Sequence, residues 1–223
     1  VEGHYLDQKL SLALKDIQEF FSPDNQSLSE VKIIGSYPQA NFFEPLISKI
    51  GIVGGNGKMG IWFCNLFREA GLEVTVRDHK SVTSVEQFCS DLDAILFSVP
   101  ITSIEQIAGE YLPYLRPGTL VIENCSVKAN VLSALSDLSN GKLEILGIHT
   151  LFGNSVPSIK GQNVIFTKTE SCGGKAEEFR DLLYKLGANI HDASAEIHDN
   201  STAFVQSLLH LVLLSAGQVA SEV

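Results

Sequence analysis

IGIVGGNGKMG, residues 50–60, is the stretch that decides the fold of this 223-residue chain. Its first four residues are apolar, which is typical of a short strand buried on both faces of a sheet. Glycines follow at positions 55, 57 and 60 in the spacing G-x-G-x-x-G, and residues 61–70 have the pattern of a helix. A strand, this loop and a helix in succession form the arrangement that holds the pyrophosphate of a dinucleotide at a helix N-terminus.

The three glycines have separate tasks in that arrangement. The first permits the tight turn, the second lets the pyrophosphate approach the backbone, and the third lets helix and strand pack closely. An acid about 20 residues further on, here Asp78, binds the ribose diol and repels a 2′-phosphate. The sequence therefore predicts NAD as the cofactor and favours it over NADP. Three neighbouring cations could nevertheless accept that phosphate: Arg77, His79 and Lys80.

The alternative interpretation of this region is a structural glycine turn beside a solvated aspartate. The strand before the loop and the helix after it favour the dinucleotide site. The predicted cofactor-binding residues here are Gly55, Asn56, Gly57, Lys58, Met59, Gly60 and Asp78.

Outward from the loop, apolar runs alternate with helical patterns as far as residue 193. This alternation is typical of an α/β fold with a doubly wound, or Rossmann, parallel sheet. The predicted strands cover 50–53, 73–77, 94–99, 120–123, 143–148, 163–167 and 189–191, and the predicted helices cover 61–70, 85–92, 103–115, 129–138 and 174–186. From Ser194 onward the pattern is helical only.

These patterns divide the chain into three regions. Residues 1–49 are predicted to form an N-terminal helix, with apolar residues at three- and four-residue steps over Leu6–Phe21, followed by a linker or arm. Residues 50–193 are predicted to form the NAD-binding Rossmann domain. Residues 194–223 are predicted to start an all-helical C-terminal domain, which we expect to continue beyond this chain.

The most apolar late stretch, 203–216, contains four polar residues: Gln206, Ser207, His210 and Ser215. It is too short and too polar to span a bilayer, so it predicts a buried helix and no membrane partner. A helical face so rich in leucine is costly to expose. We therefore expect a homodimer that forms through the C-terminal helices.

Composition narrows the class of protein. The chain has 26 acidic and 16 basic residues, a formal charge of −10, and no run of Lys and Arg, so a nucleic-acid partner is disfavoured. Its four cysteines form no C-x-x-C pair, which argues against a zinc site and favours free thiols in a reducing compartment. The N-terminal residues lack the basic-then-apolar order of a signal peptide, and we expect a cytoplasmic protein.

Four motifs downstream of the loop carry a resemblance to a known family. They are Ser98-Val99-Pro100, Glu123-Asn124-Cys125-Ser126-Val127-Lys128, Gly147-Ile148-His149-Thr150-Leu151-Phe152-Gly153, and Ser194-Ala195-Glu196-Ile197-His198-Asp199 with Gln206 and His210 after it. Over residues 50–218 the chain resembles the prephenate and arogenate dehydrogenases of tyrosine biosynthesis. The GGNGKMG loop is most similar to the bacterial branch in which a chorismate mutase is fused ahead of the dehydrogenase. The family often has His-Pro-Met-Phe-Gly where this chain has HTLFG from His149 onward.

The resemblance implies an NAD-dependent oxidoreductase that converts prephenate to 4-hydroxyphenylpyruvate. Hydride leaves the ring carbon that bears the hydroxyl, a base takes the hydroxyl proton, and loss of CO2 makes the ring aromatic. Arogenate and 4-amino-4-deoxyprephenate are alternative substrates within the family, and a non-catalytic, dinucleotide-sensing Rossmann module is the alternative from another class. The resemblance also places Ser98, Val99 and Pro100 among the cofactor-binding residues.

His149 is the predicted catalytic base. It follows a predicted strand, at the edge where ligands bind in open α/β sheets, and a neutral imidazole has a pKa suited to the task. The alternative is a loop histidine that binds a backbone carbonyl. By resemblance, Ser126 hydrogen-bonds the substrate hydroxyl and His149, and the alternative is an N-cap of the helix from Ala129. Lys128 could attract a carboxylate, but a solvated surface lysine is the favoured interpretation.

Gln206 and His210 are four residues apart and share a helix face. By resemblance they line the substrate pocket, with His198 nearer its edge, and the alternative for His210 is a core histidine. His198 precedes His210 by twelve residues, about 120° around an ideal helix, so the two converge only if the helix bends or begins later. The histidines lack H-x-x-x-H spacing, so no metal site is predicted. The family's substrate-binding arginine is expected beyond Val223.

Overall fold

The computed structural model describes residues 45–221. Within its last helix, the side chains at positions 206, 207, 210, 216 and 219–221 lie outside the described part. The predicted N-terminal helix over Leu6–Phe21 and the arm after it also lie outside the described residues.

Seven strands and six helices alternate along the described residues. The strands are β1 (Lys49–Val53), β2 (Glu73–Arg77), β3 (Ala94–Phe97), β4 (Leu120–Glu123), β5 (Glu144–Thr150), β6 (Asn163–Lys168) and β7 (Asn189–Asp192). The helices are α1 (Lys58–Glu69), α2 (Val85–Cys89), α3 (Ile104–Tyr111), α4 (Ala129–Ser139), α5 (Gly174–Lys185) and α6 (Ala195–Ser221), with 3₁₀ turns at Ile101–Ser103 and Leu112–Tyr114 on either side of α3.

Every element predicted between residues 50 and 193 is present, and the differences are at element ends. Helix α1 begins three residues before its predicted start, and α2 ends three residues before its predicted end. Helix α3 gives way to a 3₁₀ turn that contains Pro113, because proline has no N–H to continue the α-helical hydrogen bonds.

All seven strands form one sheet in the order β2-β1-β3-β4-β5-β6-β7. Neighbours are parallel except β5 and β6, which pair antiparallel with His149 opposite Ile165. The doubly wound fold class is confirmed, and the expectation of a wholly parallel sheet is wrong at this one pair. Residues 151–162, which join β5 to β6, form no helix, and a parallel pairing needs a crossover that is usually helical.

Helices cover both faces of the sheet, and each face has its own core. On one face α1 and α5 pack, with Phe63 and Phe179 fully buried. On the other face α2, α3 and α4 pack, where Phe88 and Leu135 are buried. Because β1, β3, β4 and β5 are parallel neighbours, their carboxyl ends meet at one edge, and the loops after them carry the predicted site.

Helix α6 exposes its apolar side chains. Phe204, Leu209 and Leu214 are 50%, 54% and 72% exposed. The prediction of a buried helix over 203–216 is therefore wrong within this single chain. The side-chain hydrogen bonds that hold α6 come from its first turn, where His198 and Asp199 reach β5 and the start of α4. Among the described residues, no helix is long and apolar enough to cross a membrane.

Candidate functional site

The glycine loop between β1 and α1 is shaped by close backbone packing. Gly54 has a φ of +79°, and a Cβ there would lie 2.4 Å from the Ser98 carbonyl oxygen. The turn glycine is therefore Gly54, and the assignment of that role to Gly55 is wrong. Gly55 instead makes room for the Val76 side chain, because a Cβ on Gly55 would lie 2.6 Å from Cγ1 of Val76. A Cβ on Gly60 would lie 2.2 Å from the Gly54 carbonyl oxygen, so the third glycine has its expected packing role.

The N-terminus of α1 is open to an anion. Gly57 caps the helix without a side-chain hydrogen bond, so no side chain competes for the first helical amides. The helix dipole adds positive potential at the same point. Gly57, at the N-cap, has no side chain to keep an anion from these amides, which fits the pyrophosphate of a dinucleotide.

A cavity of about 790 Å³ lies beside the loop, a volume within the range of ligand sites, and we call it the loop cavity. Six predicted cofactor-binding residues line it: Asn56, Gly57, Asp78, Ser98, Val99 and Pro100. Gly55 and Gly60 are buried, Met59 packs against the core, and Lys58 is exposed. The sequence did not indicate five further lining residues: Val53, Gly54, Ile107, Glu110 and Tyr111.

Asp78 directly follows β2, and three donors hold its carboxylate. The Lys80 amide donates to Oδ1 at 2.8 Å and the Ser81 hydroxyl at 3.3 Å, while the Asn56 side-chain amide donates to Oδ2. These hydrogen bonds, that from Asn56 most strongly, lower the pKa of Asp78. The carboxylate is therefore charged at neutral pH, as binding a ribose diol and repelling a 2′-phosphate require.

Arg77 is engaged by other groups of the protein. Its Nη1 donates to the carbonyl oxygens of Ser81, at 3.4 Å, and of Thr83. Its guanidinium lies 5.9 Å from the centre of the Tyr111 ring. All three residues that the sequence left open for the phosphate line the loop cavity, but the Arg77 side chain is engaged by other groups of the protein, whereas His79 and Lys80 are exposed.

His149, the penultimate residue of β5, is buried and contacts a second histidine. Its Nδ1 lies 2.9 Å from Nε2 of His198, and the ring centres are 5.1 Å apart. Burial lowers the pKa of His149 to about 4, the positive charge of Lys128 and the neighbouring His198 act in the same direction, and Asp199 opposes them. His149 is therefore neutral at pH 7, and its Nδ1 partner is a histidine rather than the backbone carbonyl of the alternative interpretation.

Asp199 connects α6 to the start of α4 by hydrogen bonds. Its Oδ1 accepts from the Lys128 amide at 2.7 Å and lies 2.8 Å from His198 Nδ1, while its Oδ2 accepts from the Ala129 amide at 2.8 Å. Partial burial alone would raise the pKa of Asp199, but the hydrogen bonds from Ala129, His198 and Lys128 hold it below its usual value. We call the series Asp199, His198 and His149 the histidine chain.

Ser126 does not cap α4. Lys128 occupies the N-cap position, and the Asp199 carboxylate accepts the hydrogen bonds of the first amides, so the capping interpretation is wrong. Ser126 is exposed on the loop between β4 and α4, at the same sheet edge as His149. Among the described residues, Ser126 makes no hydrogen bond with His149.

Lys128 and Glu123 form an ion pair in which neither side chain has any exposure. The expectation of a solvated surface Lys128 is therefore wrong. Glu123 also accepts from the Cys125 amide at 2.8 Å. Burial raises the pKa of Glu123 and lowers the pKa of Lys128, and the partner's charge opposes each shift. A Cβ on Gly147 would lie 2.8 Å from Glu123 Oε1, so the glycine in β5 makes room for the pair.

The three predicted substrate residues of α6 differ in what the structure describes. His198 is 1% exposed and contacts His149, so it lies between Asp199 and His149 in the histidine chain. The side chains of Gln206 and His210 lie outside the described part. Within the described residues, no group of His, Cys, Asp and Glu is placed to hold a metal ion.

Sequence reasoning missed Asp199 and the pairing of Glu123 with Lys128. Asp199 follows His198 directly, but the amides that it accepts from lie 71 and 70 residues away along the chain. Glu123 gave a usable signal, because it ends a strand whose other residues are all apolar and buried. A carboxylate at the end of such a strand needs a partner, and the next cation along the chain is Lys128.

Comparison with known proteins identifies the family of this chain and proteins that share its fold. The family model described as "Prephenate dehydrogenase, nucleotide-binding domain" matches residues 65–192, more than half of the chain. The T-protein of Enterobacter agglomerans is 32% identical over 177 residues, which are 78% of this chain and 45% of that protein. The chain therefore spans about half the length of the curated relatives that it matches.

Two solved structures share the fold. The prephenate dehydrogenase from A. aeolicus, in complex with hydroxyphenyl propionate and NAD+, matches with a TM-score of 0.65 and 21% identity over 78% of this chain and 69% of that one. The arogenate dehydrogenase of Synechocystis matches with a TM-score of 0.64 and 21% identity over 78% of this chain and 68% of that one. Both likenesses agree with the doubly wound sheet described above.

Proposed function

The chain belongs to the prephenate dehydrogenase family, as its motifs predicted, and from that membership we propose that it is an NAD-dependent oxidoreductase of tyrosine biosynthesis. The reaction is the oxidative decarboxylation of prephenate to 4-hydroxyphenylpyruvate. One observation carries the proposal: a glycine loop fit for a dinucleotide and a buried, neutral histidine lie at the same edge of one sheet. A non-catalytic sensor module has no need of that histidine.

The order of the strands supports a path from the loop to the histidine. The loop follows β1, and His149 is the penultimate residue of β5, with β3 and β4 between these two strands. Neighbouring strands are about 4.8 Å apart, so β1 and β5 are roughly 14 Å apart across the sheet. A dinucleotide with its pyrophosphate at α1 would place one ribose at Asp78, after β2. Its other half would pass over the loop from Ser98 to Pro100, after β3, towards His149.

The chemistry that we propose uses His149 as the base. When bound, the dinucleotide supplies an acceptor for the hydride that leaves the hydroxyl-bearing ring carbon. Nε2 of His149 accepts the hydroxyl proton, because Nδ1 is engaged by His198. The bond to the ring carboxylate then breaks, and CO2 leaves as the ring becomes aromatic. Ser126 is proposed to bind the substrate hydroxyl, and Gln206 and His210 are proposed to line the substrate pocket.

The cofactor that we propose is NAD rather than NADP. A charged Asp78 favours a ribose diol, and the engagement of Arg77 with Ser81, Thr83 and Tyr111 removes one cation that a 2′-phosphate would need. The exposed His79 and Lys80 remain as the groups through which NADP would bind more weakly.

The exposed apolar face of α6 supports the assignment of residues 194–223 to the start of a helical substrate and dimerisation domain. We propose that two copies associate through these helices, because Phe204, Leu211 and Leu214 are each at least half exposed in the single chain. Four free cysteines accord with a reducing, cytoplasmic location.

The test is an assay of the intact gene product with prephenate, with arogenate and with 4-amino-4-deoxyprephenate, each with NAD and with NADP, in which the absorbance of the reduced cofactor is followed. Turnover of prephenate with NAD is the expected result. Preference for arogenate or for 4-amino-4-deoxyprephenate would keep the family chemistry and change the substrate. NAD binding without turnover of any of the three would overturn the proposal in favour of a sensor module.

The matched variants are His149→Asn and His191→Asn. His149→Asn should lower kcat by at least ~100-fold, the scale of losing a general base, while NAD affinity stays close to that of the wild type. His191 is an exposed histidine on β7, and its replacement should change neither quantity. Turnover of His149→Asn close to the wild-type rate would remove His149 from the mechanism.

A further inference from the structure

We propose that His198 and Asp199 are positioning residues that fix the tautomer of His149, so that its Nε2 carries the lone pair that receives the substrate proton. The proposal rests on the proposed function for the identity of that proton, and the geometry that supports it is independent of the substrate. Neither residue was assigned this role by the sequence motifs.

The first step is the anchoring of Asp199. Its two oxygens accept from the amides of Lys128 and Ala129, at 2.7 and 2.8 Å, at the N-terminus of α4. Two backbone donors therefore fix the direction of the carboxylate, and the dipole of α4 stabilises its negative charge. Its hydrogen bonds keep the pKa of Asp199 below the ordinary value, so the carboxylate is an acceptor at neutral pH.

The second step sets the tautomer of His198. Nδ1 of His198 lies 2.8 Å from Asp199 Oδ1, and an ionised carboxylate can only accept. Nδ1 of His198 therefore carries the hydrogen. In a neutral ring the other nitrogen, Nε2, is then an acceptor. Two groups face that nitrogen, His149 Nδ1 at 2.9 Å and the Thr202 hydroxyl at 3.4 Å, and both can donate to it.

The third step determines which ring nitrogen of His149 carries the hydrogen. Because His198 Nε2 accepts, His149 Nδ1 must donate, and the neutral His149 ring then has its lone pair on Nε2. The opposite tautomer carries a hydrogen on Nε2 and cannot accept a proton there. Both rings are buried, at 6% and 1% exposure, so water cannot readily replace either partner. The charge on Asp199 thus selects the tautomer of a base on another element of the fold.

The arrangement gives His198 a role that differs from that of a substrate ligand. A group that only lined a pocket would affect substrate affinity. A group that holds His149 in one tautomer should affect kcat with little change in KM for the substrate. The effect of His198 on the tautomer of His149 should also be visible by NMR when neither substrate nor cofactor is present. This proposal can therefore be tested separately from the proposed function.

The experiment is nitrogen-15 NMR of the histidine rings in the full chain at pH 7, for the wild type, His198→Leu and His198→Gln. In the wild type we expect the Nδ1–H form on both His149 and His198. For His149 it should be in at least about fivefold excess, the ratio that one hydrogen bond of about 1 kcal/mol maintains. His198→Leu should lose this excess on His149. His198→Gln should keep it, because the glutamine carbonyl oxygen can accept from His149 Nδ1.

Kinetics of the same variants complete the test. His198→Leu should lower kcat at least ~10-fold, less than the ~100-fold or more expected when the base itself is lost, and His198→Gln should recover most of it. An Nε2–H form of His149 or His198 in the wild type would overturn the proposal. So would an unchanged His149 tautomer in His198→Leu. If the tautomers behave as expected but no substrate turns over, the proposed function fails and the tautomer assignment stands.

Discussion

The loop cavity and the histidine chain lie at one edge of the same sheet, but they are built from different parts of the polypeptide. The loop beside the loop cavity is shaped mainly by backbone. Gly54 has a positive φ, and a Cβ on Gly60 would lie only 2.2 Å from the Gly54 carbonyl oxygen. The histidine chain is made of side chains, which β5 and α6 bring together at the N-terminus of α4. We therefore expect the loop cavity to be sensitive to added volume and the histidine chain to be sensitive to changes of charge.

The difference decides how each region should respond to mutation. A backbone-built loop has no titratable group at its centre, so added atoms should damage it and a change of pH should not. The histidine chain lies beside the buried Glu123–Lys128 pair, where a charge that loses its partner cannot be rehydrated without opening the core. The predictions below test this contrast from the largest expected effect to the smallest.

Removing the cation beside the histidine chain should have the largest effect. Lys128→Met leaves Glu123 buried without its counter-charge, and we expect a loss of about 3–5 kcal/mol in the free energy of unfolding, measured by urea denaturation followed by circular dichroism. The double variant Glu123→Gln with Lys128→Met should recover most of that loss, because no unpaired charge remains.

The matched control for Lys128 is Lys168→Met. Lys168 pairs with Glu177 at 2.6 Å, but the two side chains are 36% and 59% exposed, so its loss should cost less than ~1 kcal/mol. A cost for Lys128→Met as small as that of Lys168→Met would contradict the view that this region depends on its internal charges.

Acid should weaken the histidine chain next most strongly. The pKa of His149 is lowered from 6.5 to about 4 in the folded chain, so between these pH values the unfolded chain binds more protons than the folded one. The contribution of His149 to the free energy of unfolding is therefore fully present above pH 6.5, and it is lost as the pH falls towards 4. The loss should reach up to about 3 kcal/mol, at 1.36 kcal/mol per pKa unit.

The measurement is the free energy of unfolding against pH for the wild type and for His149→Asn. The variant should show a shallower fall between pH 6.5 and 4, because the titrating ring is absent. His191→Asn, which replaces an exposed histidine, should keep the wild-type slope. Equal slopes for the wild type and His149→Asn would show that His149 titrates in the folded chain near its ordinary pKa.

The same contrast explains how much could be predicted from the sequence. The fold and the loop depend on local signals, such as the spacing of glycines 55, 57 and 60 and the alternation of apolar runs, and these predicted each element from β1 to β7. The antiparallel pairing of β6 follows a link without a helix, and because no helix was predicted between residues 148 and 163, the sequence already carried a signal for this pairing. The turn glycine was placed one residue late, because Gly54 and Gly55 are adjacent and only the backbone angles separate their roles.

The histidine chain depends on contacts that are remote in sequence. His149 and His198 were both named, but they are 49 residues apart, and no spacing rule brings them together. Lys128 was misplaced on the surface because its buried state depends on Glu123 and on the space left by Gly147 in a neighbouring strand. Sequence therefore identified the residues of this region better than it identified their partners.

The smallest of the three effects should come from volume added to the loop. Gly60→Ala places a Cβ 2.2 Å from the Gly54 carbonyl oxygen and 2.7 Å from the Gly55 Cα, so the backbone must shift, at a cost of about 1–3 kcal/mol. Calorimetric titration should also show weaker NAD binding, because the shifted residues border the loop cavity.

Gly109→Ala is the matched control for Gly60→Ala. Gly109 also lies in a helix, and nothing is within 4 Å of its added Cβ, so this substitution should stabilise the chain by about 0.5–1 kcal/mol. The cost of Gly60→Ala should be the same at pH 5 and pH 7, since no titratable group is involved. A cost that changed with pH would mean that the two regions are coupled.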